Sequence, residues 1–322
     1  MTVVSGLGLL AGWAADLVAG DPRRWHPVAG FGRAAGWLEA RLWRDERAAG
    51  VVYAAVCVGV PAVTTLVVDR SLTGSGRRWA PTAARAGLLA ALTWAALGGR
   101  SLGREAAGVA AAVEAGDIEG ARARLPALVG RDPSGLDGTE ICRAACESVA
   151  ENTADAVVGP LVWGALAGPA GVVAYRCGNT LDAMVGHRSE RYERFGWACA
   201  RLDDLLTWLP ARLTVLLTAA CAPLAGGRAG AALDVARRDG RRHPSPNAGP
   251  VEAAFAGALG LRLGGENDYG GRVESRGPLG DGAAPDAIAV RRAVRLSALV
   301  GAGAAVLAAT VAFMGNRIGR RR

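Results

Sequence analysis

Uncharged apolar windows recur along this chain and limit the folds open to it. A mean hydropathy of +0.21 is high for a soluble domain with 20% charged residues. Windows near twenty residues match the thickness of a bilayer and exceed the usual length of a buried helix. The sequence therefore predicts an all-α, polytopic membrane protein with roughly four to six hydrophobic helices. The windows cover residues 49–68, 86–99, 156–175, 213–228 (bounded by arginines) and 296–316.

Polar stretches alternate with these windows instead of forming separate soluble domains. We therefore expect residues 1–322 to form a single integral membrane domain. No alternation typical of β-strands is evident, and the Gly/Pro/Asp-rich stretch 271–286 is expected to be flexible. The polar loops, expected to be largely helical, cover residues 20–48, 100–155, 176–204 and 226–292.

The window 156–175 contains helix-breaking residues. Irregular backbone at membrane depth is tolerated where surrounding protein covers it. We therefore expect a broken or re-entrant hairpin at this position, and the number of crossings stays open. The interrupting residues are Pro160, Gly168, Pro169 and Gly171.

All 37 basic residues are arginine, which excludes two classes of enzyme. A Walker A loop needs a Lys on the phosphates, and a pyridoxal phosphate enzyme needs a Schiff-base Lys. Any phosphate must be held by Arg, backbone N–H groups or a metal. The net charge of +8 suits anionic lipid headgroups or anionic substrates. Nucleic acid is not expected as a partner, because the arginines are interleaved with acids and apolar segments.

Carboxylates lie along one face of the segment that precedes the window 156–175. On a helix, Glu147, Glu151 and Asp155 fall at successive i,i+4 positions after Arg143, with Asn152 beside them. Their mutual repulsion would be relieved by a cation, and hard oxygen ligands suit Mg²⁺ that bridges a phosphate. A solvated acidic face is the alternative interpretation.

A second polar cluster follows the same window. Asn179 and Asp182 share a helix face and could bind a metal or orient a substrate amide. Arginines suit phosphate or carboxylate recognition. Similar Asn/Asp patterns occur in membrane enzymes that hold a prenyl diphosphate through Mg²⁺, so this pattern alone is not specific. The other candidates of the cluster are Arg188, Arg191, Arg194, Arg201, Asp203 and Asp204.

Five ordered blocks carry a family resemblance that runs from Gly20 to about Gly271. They resemble the integral membrane adenosylcobinamide-phosphate synthases of cobalamin biosynthesis, the CobD/CbiB family. The blocks are GDPRRWHPV (20–28), VGRD (129–132), ESVAENTADAVVGPLVW (147–163), YRCGNTLDAMVGHRSERYERFGWACARLDDLLTWLPARL (175–213) and SPNAGPVEAAFAGALGLRLGG (245–265).

This resemblance implies an ATP-dependent amide ligation. A propionate carboxylate of adenosylcobyric acid would be joined to (R)-1-amino-2-propanol phosphate, giving adenosylcobinamide phosphate. Because a carboxylate is a poor electrophile, we expect ATP to convert it to an acyl phosphate that the amine attacks. Phosphoryl transfer asks for Mg²⁺ and arginines that take up charge, so ATP and Mg²⁺ are the expected cofactors.

The site hypothesis gives each polar residue a role. Glu147, Glu151 and Asp182 are the expected catalytic residues, and Glu147, Glu151 and Asp155 are the expected Mg²⁺ ligands. The general base stays open among Asp182, Glu151 and His187. The expected substrate-binding residues are Asn152 beside the nucleotide, Asn179, Arg188 and Arg191 on a phosphate, Arg201, Asp203 and Asp204 in support, and His26 and Asn247 from flanking loops.

The expected location is the cell membrane, with several crossings and the site facing the cytoplasm. The expected partners are the corrinoid, aminopropanol phosphate, membrane lipid and other proteins of the cobalamin pathway. Two alternatives stay open: a non-catalytic corrinoid carrier or pathway assembly platform, and a Mg²⁺-dependent membrane transferase that acts on a diphosphate. A carrier should have polar residues along a continuous path, whereas here they gather at segment ends, which favours an enzyme.

Overall fold

The structure is a computed structural model and describes residues 3–21, 26–72, 80–187, 189–268 and 273–319. Its contacts divide the chain into two compact units. The first unit contains Met1–Gly98, Gly159–Thr207 and Ala305–Arg322, and the second contains Gly99–Val158 and Trp208–Ala304. That residues 1–322 act as a single domain stays a prediction.

Helices dominate the described chain. Short 3-10 turns cover Leu125–Ala127, Ala222–Ala225 and Gly240–Arg242, and π-helical turns cover Ala154–Val158 and Asp182–Gly186. The α-helices are α1 (Val3–Ala19), α2 (Pro27–Leu42), α3 (Arg47–Ser71), α4 (Ala80–Ala96), α5 (Gly99–Glu114), α6 (Ile118–Arg124), α7 (Gly138–Thr153), α8 (Gly159–Leu181), α9 (Trp197–Cys221), α10 (Ala229–Asp239), α11 (Ala248–Leu259) and α12 (Ala287–Gly319); the strands are β1 (Leu263–Asp268) and β2 (Val273–Leu279).

The predicted all-α membrane class is confirmed. In the described part of the chain, four helical segments are long and apolar enough to cross a membrane: Arg47–Ser71, Gly138–Gly186, Trp197–Ala225 and Ala287–Met314. Helix α3 leaves apolar side chains exposed along its length, including Val52, Val60 and Val67. A face of this kind is unfavourable in water and suits contact with lipid.

Glycine spacing brings two helices of the first unit close together. Gly8 and Gly12 lie one turn apart on α1, where α1 packs against α4. A Cβ at Gly8 would lie 2.9 Å from the Ala86 carbonyl oxygen, and one at Gly12 would lie 2.7 Å from that of Ala90. This close approach through two small residues is typical of helix pairs in membranes.

Helix α8 is a hairpin rather than one straight helix. At Gly168 the backbone has φ 65° and ψ −151°, and Pro169 follows. A Cβ at Gly159 would clash with the ring of Tyr175, so the two limbs lie side by side. Each limb is about 14–20 Å long at 1.5 Å per residue, shorter than the ~30 Å apolar core of a bilayer. The predicted broken hairpin is therefore observed, and α8 does not cross as a straight span.

The second unit packs α5 against α6 and α7, and α10 against α11. Beside α7 and α11 lies an antiparallel hairpin in which Leu263 pairs with Leu279 and Glu266 pairs with Ser275. The sequence analysis did not predict these strands. The expectation that 271–286 is flexible was also wrong for β2. Few residues here are β-branched, so tertiary contacts stabilise the hairpin more than strand propensity does.

Candidate functional site

Helix α7 carries the predicted acidic stripe of the second unit. It begins with a capping box, in which Asp137 accepts a hydrogen bond from the Glu140 backbone N–H at 2.8 Å and Glu140 accepts one from that of Asp137 at 2.9 Å. At its C-terminal end the chain widens into the π-turn Ala154–Val158, which holds Asp155. Such π-turns are rare and occur often at functional sites.

Glu147 lies in the interior of this unit and both of its carboxylate oxygens have partners. Oε2 accepts from Arg131 Nη2 at 2.5 Å. Oε1 accepts from the Gly264 backbone N–H at 2.9 Å and from Arg143 Nη1 at 3.3 Å. Pairing of this kind offsets the cost of burying an ionised carboxylate. Glu147 therefore connects α7 to β1 and to the segment before α7.

Gly264 fits this contact because of its backbone. Its φ of +78° is a left-handed conformation that favours glycine, and a Cβ there would clash with the Gly277 carbonyl oxygen. The Gly264 carbonyl also accepts a hydrogen bond from Arg143 Nη1 at 2.7 Å. Glu147 and Arg143 thus hold the N–H and the carbonyl of the same residue.

Another carboxylate of the second unit, Glu252 on α11, is completely buried. Its Oε1 lies 3.6 Å from His243 Nε2 and 3.8 Å from Arg276 Nη1. Within the described chain neither oxygen of Glu252 has a hydrogen-bond partner. Burial, and then the charges of Glu147 and Glu151, raise the pKa of Glu252 well above its usual range.

His243 is neutral at ordinary pH. Burial, and then the charge of Arg276, lower its pKa from 6.5 to about 4. Its Nδ1 accepts a hydrogen bond from the Ser245 backbone N–H at 3.0 Å. The proton of the neutral ring is therefore on Nε2, the nitrogen that faces Glu252.

Asn247 lies at the start of α11 and is buried. Its Oδ1 accepts a hydrogen bond from Arg212 Nη1 at 2.5 Å, and its backbone N–H donates to Ser245 Oγ at 3.3 Å. These contacts order the turn that brings His243 beside α11. The predicted role of Asn247 in substrate binding stays a prediction.

The predicted magnesium ligands are not gathered as one group. Among the residues that the structure describes, no set of three or more His, Cys, Asp or Glu side chains is arranged to hold a metal ion. The reason is that both oxygens of Glu147 are occupied by Arg131, Arg143 and the Gly264 N–H. Glu151, Asn152 and Asp155 are half-buried, and Asn152 Nδ2 donates to the Ser148 carbonyl at 3.0 Å. The trio does not fit a metal here, and magnesium dependence stays a prediction.

The second predicted cluster belongs to the first unit. Asn179 Nδ2 donates to Asp203 Oδ1 at 3.3 Å, and Asn179 Oδ1 accepts from Arg176 Nη1 at 3.3 Å. Arg201 pairs with Asp204 at 2.8 Å. The structure thus brings Asn179 and Asp203 together, although 24 positions separate them in the chain.

Three other candidates of the first unit have partners of their own. Asp182 begins the π-turn Asp182–Gly186. Arg191 pairs with Glu39 at 3.1 Å, and its guanidinium lies 4.7 Å from the centre of the Trp43 ring. His26 caps α2, because its Nδ1 accepts from the Val28 backbone N–H at 3.2 Å. Arg188 lies outside the described residues.

Comparison with known proteins adds a family to this geometry. The sequence profile described as CobD/Cbib protein matches residues 9–297. This chain belongs to the CobD/CbiB family. Family membership supports a role in cobalamin biosynthesis, as an enzyme of that pathway. No solved structure shows a significant match to the chain.

Several CobD/CbiB relatives carry the printed name "Cobalamin biosynthesis protein CobD". The protein of Mycobacterium tuberculosis (strain ATCC 25618 / H37Rv) is 51% identical over 307 residues, which cover 95% of this chain and 96% of the relative. That of Pelobacter propionicus is 48% identical over 274 residues, covering 83% and 82%. That of Rhodobacter capsulatus is 43% identical over 290 residues, covering 89% and 87%.

Four residues of this CobD/CbiB site were not among the sequence candidates: Arg131, His243, Glu252 and Arg276. Glu252 had a detectable signal, since it is the single charged residue of α11. A carboxylate in an apolar helix is rarely accidental. Arg131 is part of the block VGRD, and His243 is one of three histidines in the chain. Arg276 had no signal, because its segment was expected to be flexible.

Proposed function

We propose that this chain catalyses the ATP-dependent ligation of adenosylcobyric acid with (R)-1-amino-2-propanol phosphate to give adenosylcobinamide phosphate. The observation that carries this proposal is the group of carboxylates and guanidiniums around Glu147 in a CobD/CbiB protein. Carboxyl activation by ATP develops negative charge, which buried arginines stabilise strongly. The second unit supplies such arginines without a Walker lysine.

The residues of the second unit have distinct roles in this proposal. Glu147 fixes Arg131 and Arg143, so their orientation requires no rearrangement during the reaction. Arg131, Arg143 and Arg276 then accept the negative charge of the phosphates and of the activated carboxylate. Glu151 and Asn152, half-buried on α7, bind the nucleotide. ATP supplies the phosphoryl group that turns the carboxylate into a better electrophile.

Magnesium enters only with the nucleotide in this proposal. Because Glu147 is occupied by its arginines, we route no step through a metal held by Glu147, Glu151 and Asp155. The polar group of the first unit stays a separate prediction for binding the phosphate of aminopropanol phosphate or the acyl phosphate, and the ligation steps proposed here use residues of the second unit alone. That group contains Asn179, Asp182 and Asp203, with Arg188, Arg191, Arg201 and Asp204 as further candidates.

The proposed location is the cell membrane with the site open to the cytoplasm, since the reaction consumes ATP. The four long apolar segments and the exposed valines of α3 support membrane association. The corrinoid and aminopropanol phosphate are the proposed substrates. Contacts with other proteins of the cobalamin pathway are part of the same proposal.

The first experiment uses membranes that contain this chain, given adenosylcobyric acid, aminopropanol phosphate and Mg²⁺–ATP. Mass spectrometry detects adenosylcobinamide phosphate while ADP release is followed in parallel. We expect product that requires ATP, both substrates and the membranes, and loss of product when EDTA removes Mg²⁺. Retention of corrinoid by the membranes without any product would instead favour a carrier or assembly platform.

Glu151→Gln tests the acidic stripe. Removing this charge should lower product formation at least about 100-fold, the usual range for a group that acts directly in catalysis. Glu119→Gln is the matched control, because Glu119 lies on α6 with 83% of its side chain exposed. Both variants should insert into membranes in normal amounts. Wild-type turnover in the Glu151→Gln variant would remove this residue from the site.

A further inference from the structure

Glu252 is an acidic residue that is buried in the interior of the second unit. Its residue is 0% exposed, and within the described chain both carboxylate oxygens lack hydrogen bonds. Burying a polar group without a partner costs about 1–3 kcal/mol, and a carboxylate costs more when it is ionised. Since buried polar atoms in proteins nearly always have partners, an unpartnered one indicates a missing ligand or a functional role.

His243 and Arg276 present N–H donors near Glu252, but both lie too far from it for a hydrogen bond. His243 carries its proton on Nε2, because Nδ1 accepts from the Ser245 N–H. Nε2 is 3.6 Å from Glu252 Oε1, and Arg276 Nη1 is 3.8 Å away. Both separations exceed the usual 2.7–3.2 Å of an N–H···O hydrogen bond. Because Nε2 of His243 already carries the ring proton, it cannot accept another one. Glu252 is therefore the proton acceptor among Glu252, His243 and Arg276.

We infer that Glu252 binds the ammonium group of the amine substrate and takes its proton. This inference rests on the proposed ligation and supplies the general base that the sequence left open. An ammonium group has three N–H donors and a positive charge, which match two bare oxygens and one negative charge. A divalent metal fits less well, since no group of three metal ligands exists among the described residues.

Proton transfer and amide formation balance in atoms and electrons. The bound ammonium gives one proton to the Glu252 carboxylate, which leaves a neutral amine. The amine lone pair forms the new N–C bond at the acyl phosphate carbon, and the C–O bond to phosphate breaks with its electron pair on phosphate. The remaining extra proton on nitrogen leaves with the phosphate. The products are an amide, inorganic phosphate and protonated Glu252.

The burial of Glu252 favours this role. Desolvation, and then Glu147 and Glu151, raise its pKa, which brings the carboxyl closer to a primary amine in proton affinity. Proton transfer between groups of similar pKa has a small energetic penalty. Glu252→Gln keeps the shape of the side chain and introduces no charge at this buried position. This variant is therefore expected to fold.

Hydroxylamine separates the base from carboxyl activation. It is uncharged at neutral pH, and it attacks an acyl phosphate without needing a base to remove a proton first. Membranes with adenosylcobyric acid and Mg²⁺–ATP are given either aminopropanol phosphate or hydroxylamine, and amide and hydroxamate are measured by mass spectrometry. In Glu252→Gln we expect amide formation to fall about 100-fold or more while hydroxamate formation changes less than about threefold.

Glu252→Asp is the second variant and keeps an acid that is one methylene shorter. It should lose less amide formation than Glu252→Gln and keep hydroxamate formation. Equal loss of both products in these variants would assign Glu252 to structure or to ATP use and overturn the inference. Normal amide formation in Glu252→Gln would also overturn it. If the wild type makes neither product, the proposed ligation itself fails, and the inference fails with it.

Discussion

Arg131 and Glu147 form an ion pair in the interior of the second unit. Arg131 Nη2 lies 2.5 Å from Glu147 Oε2, and the two side chains are 4% and 2% exposed. Only 16 positions separate them, and α7 begins between them. Because both charges are removed from water, each depends on the other for compensation. This pair therefore controls both the stability of the second unit and the orientation of its arginines.

Replacing Arg131 should destabilise the second unit strongly. Arg131→Met leaves Glu147 as a buried charge whose remaining partners in the described chain are Arg143 and the Gly264 N–H. Removing one member of a buried pair costs roughly 3–5 kcal/mol. The measurement is Tm in detergent micelles. The control is Glu114→Gln, which breaks an ion pair of the same 2.5 Å length to Arg291 at an exposed position. We expect little change in the control, and equal losses would show that burial does not matter.

Gly264→Ala should disrupt the contact between β1 and α7. Alanine in a left-handed conformation costs about 1–2 kcal/mol, and here the methyl group would also clash with the Gly277 carbonyl. Gly116→Ala is the matched control, since Gly116 has φ +73° but open space around its Cα. Only Gly264→Ala is expected to lose ligation activity in addition to stability. Equal activity in the two variants would show that the hairpin of β1 and β2 does not contribute to the site.

We expect the second unit to lose stability in acid because His243 is buried in it. Its pKa is about 4 in the folded protein and 6.5 when unfolded, so between these values only the unfolded chain binds the proton. The contribution of neutral His243 to the free energy of unfolding is therefore complete above pH 6.5. It falls by up to about 3 kcal/mol as the pH decreases toward 4. His243→Asn removes this ring but keeps an acceptor for the Ser245 N–H. The difference in Tm between the two proteins should vary across this pH range, and a constant difference would contradict it.

The hairpin of α8 makes a prediction about packing. Gly159→Ala should destabilise the first unit, because the new methyl group meets the buried ring of Tyr175. Tyr175→Ala alone should also destabilise it, by roughly 3–5 kcal/mol, since it leaves a cavity. Tm in detergent measures both, together with the double variant. The double variant should be more stable than the sum of the single effects predicts. Strict additivity would mean that the two limbs do not touch.

Much of the fold was predictable because it follows from local composition. The windows 49–68 and 296–316 lie within α3 and α12, since long apolar runs without charge have few alternatives to a helix at a membrane. The break in α8 was also predictable from composition, because Gly168 and Pro169 are residue types that interrupt helices. The strands β1 and β2 were missed, because their glycine-rich sequences have no periodicity and their pairing depends on neighbours.

The candidate site was predictable only in part. Glu147, Glu151 and Asp155 share a helix face, so their proximity follows from helical spacing. The sequence did not indicate that Glu147 is paired with Arg131, and the magnesium hypothesis depended on unpaired carboxylates. Asn179 and Asp203 were each singled out, and only the structure showed the hydrogen bond between them.

The sequence by itself determined the membrane class, the family and the positions of most polar clusters. These depend on runs and spacings within single segments, where helical geometry relates position in the chain to position in space. Only the tertiary structure decided the partners of each charge. It brought Glu252 of α11 beside His243 and Arg276, and it placed Gly264 against Glu147. Such contacts join segments that are distant in the chain, and burial then decides which charges must be paired.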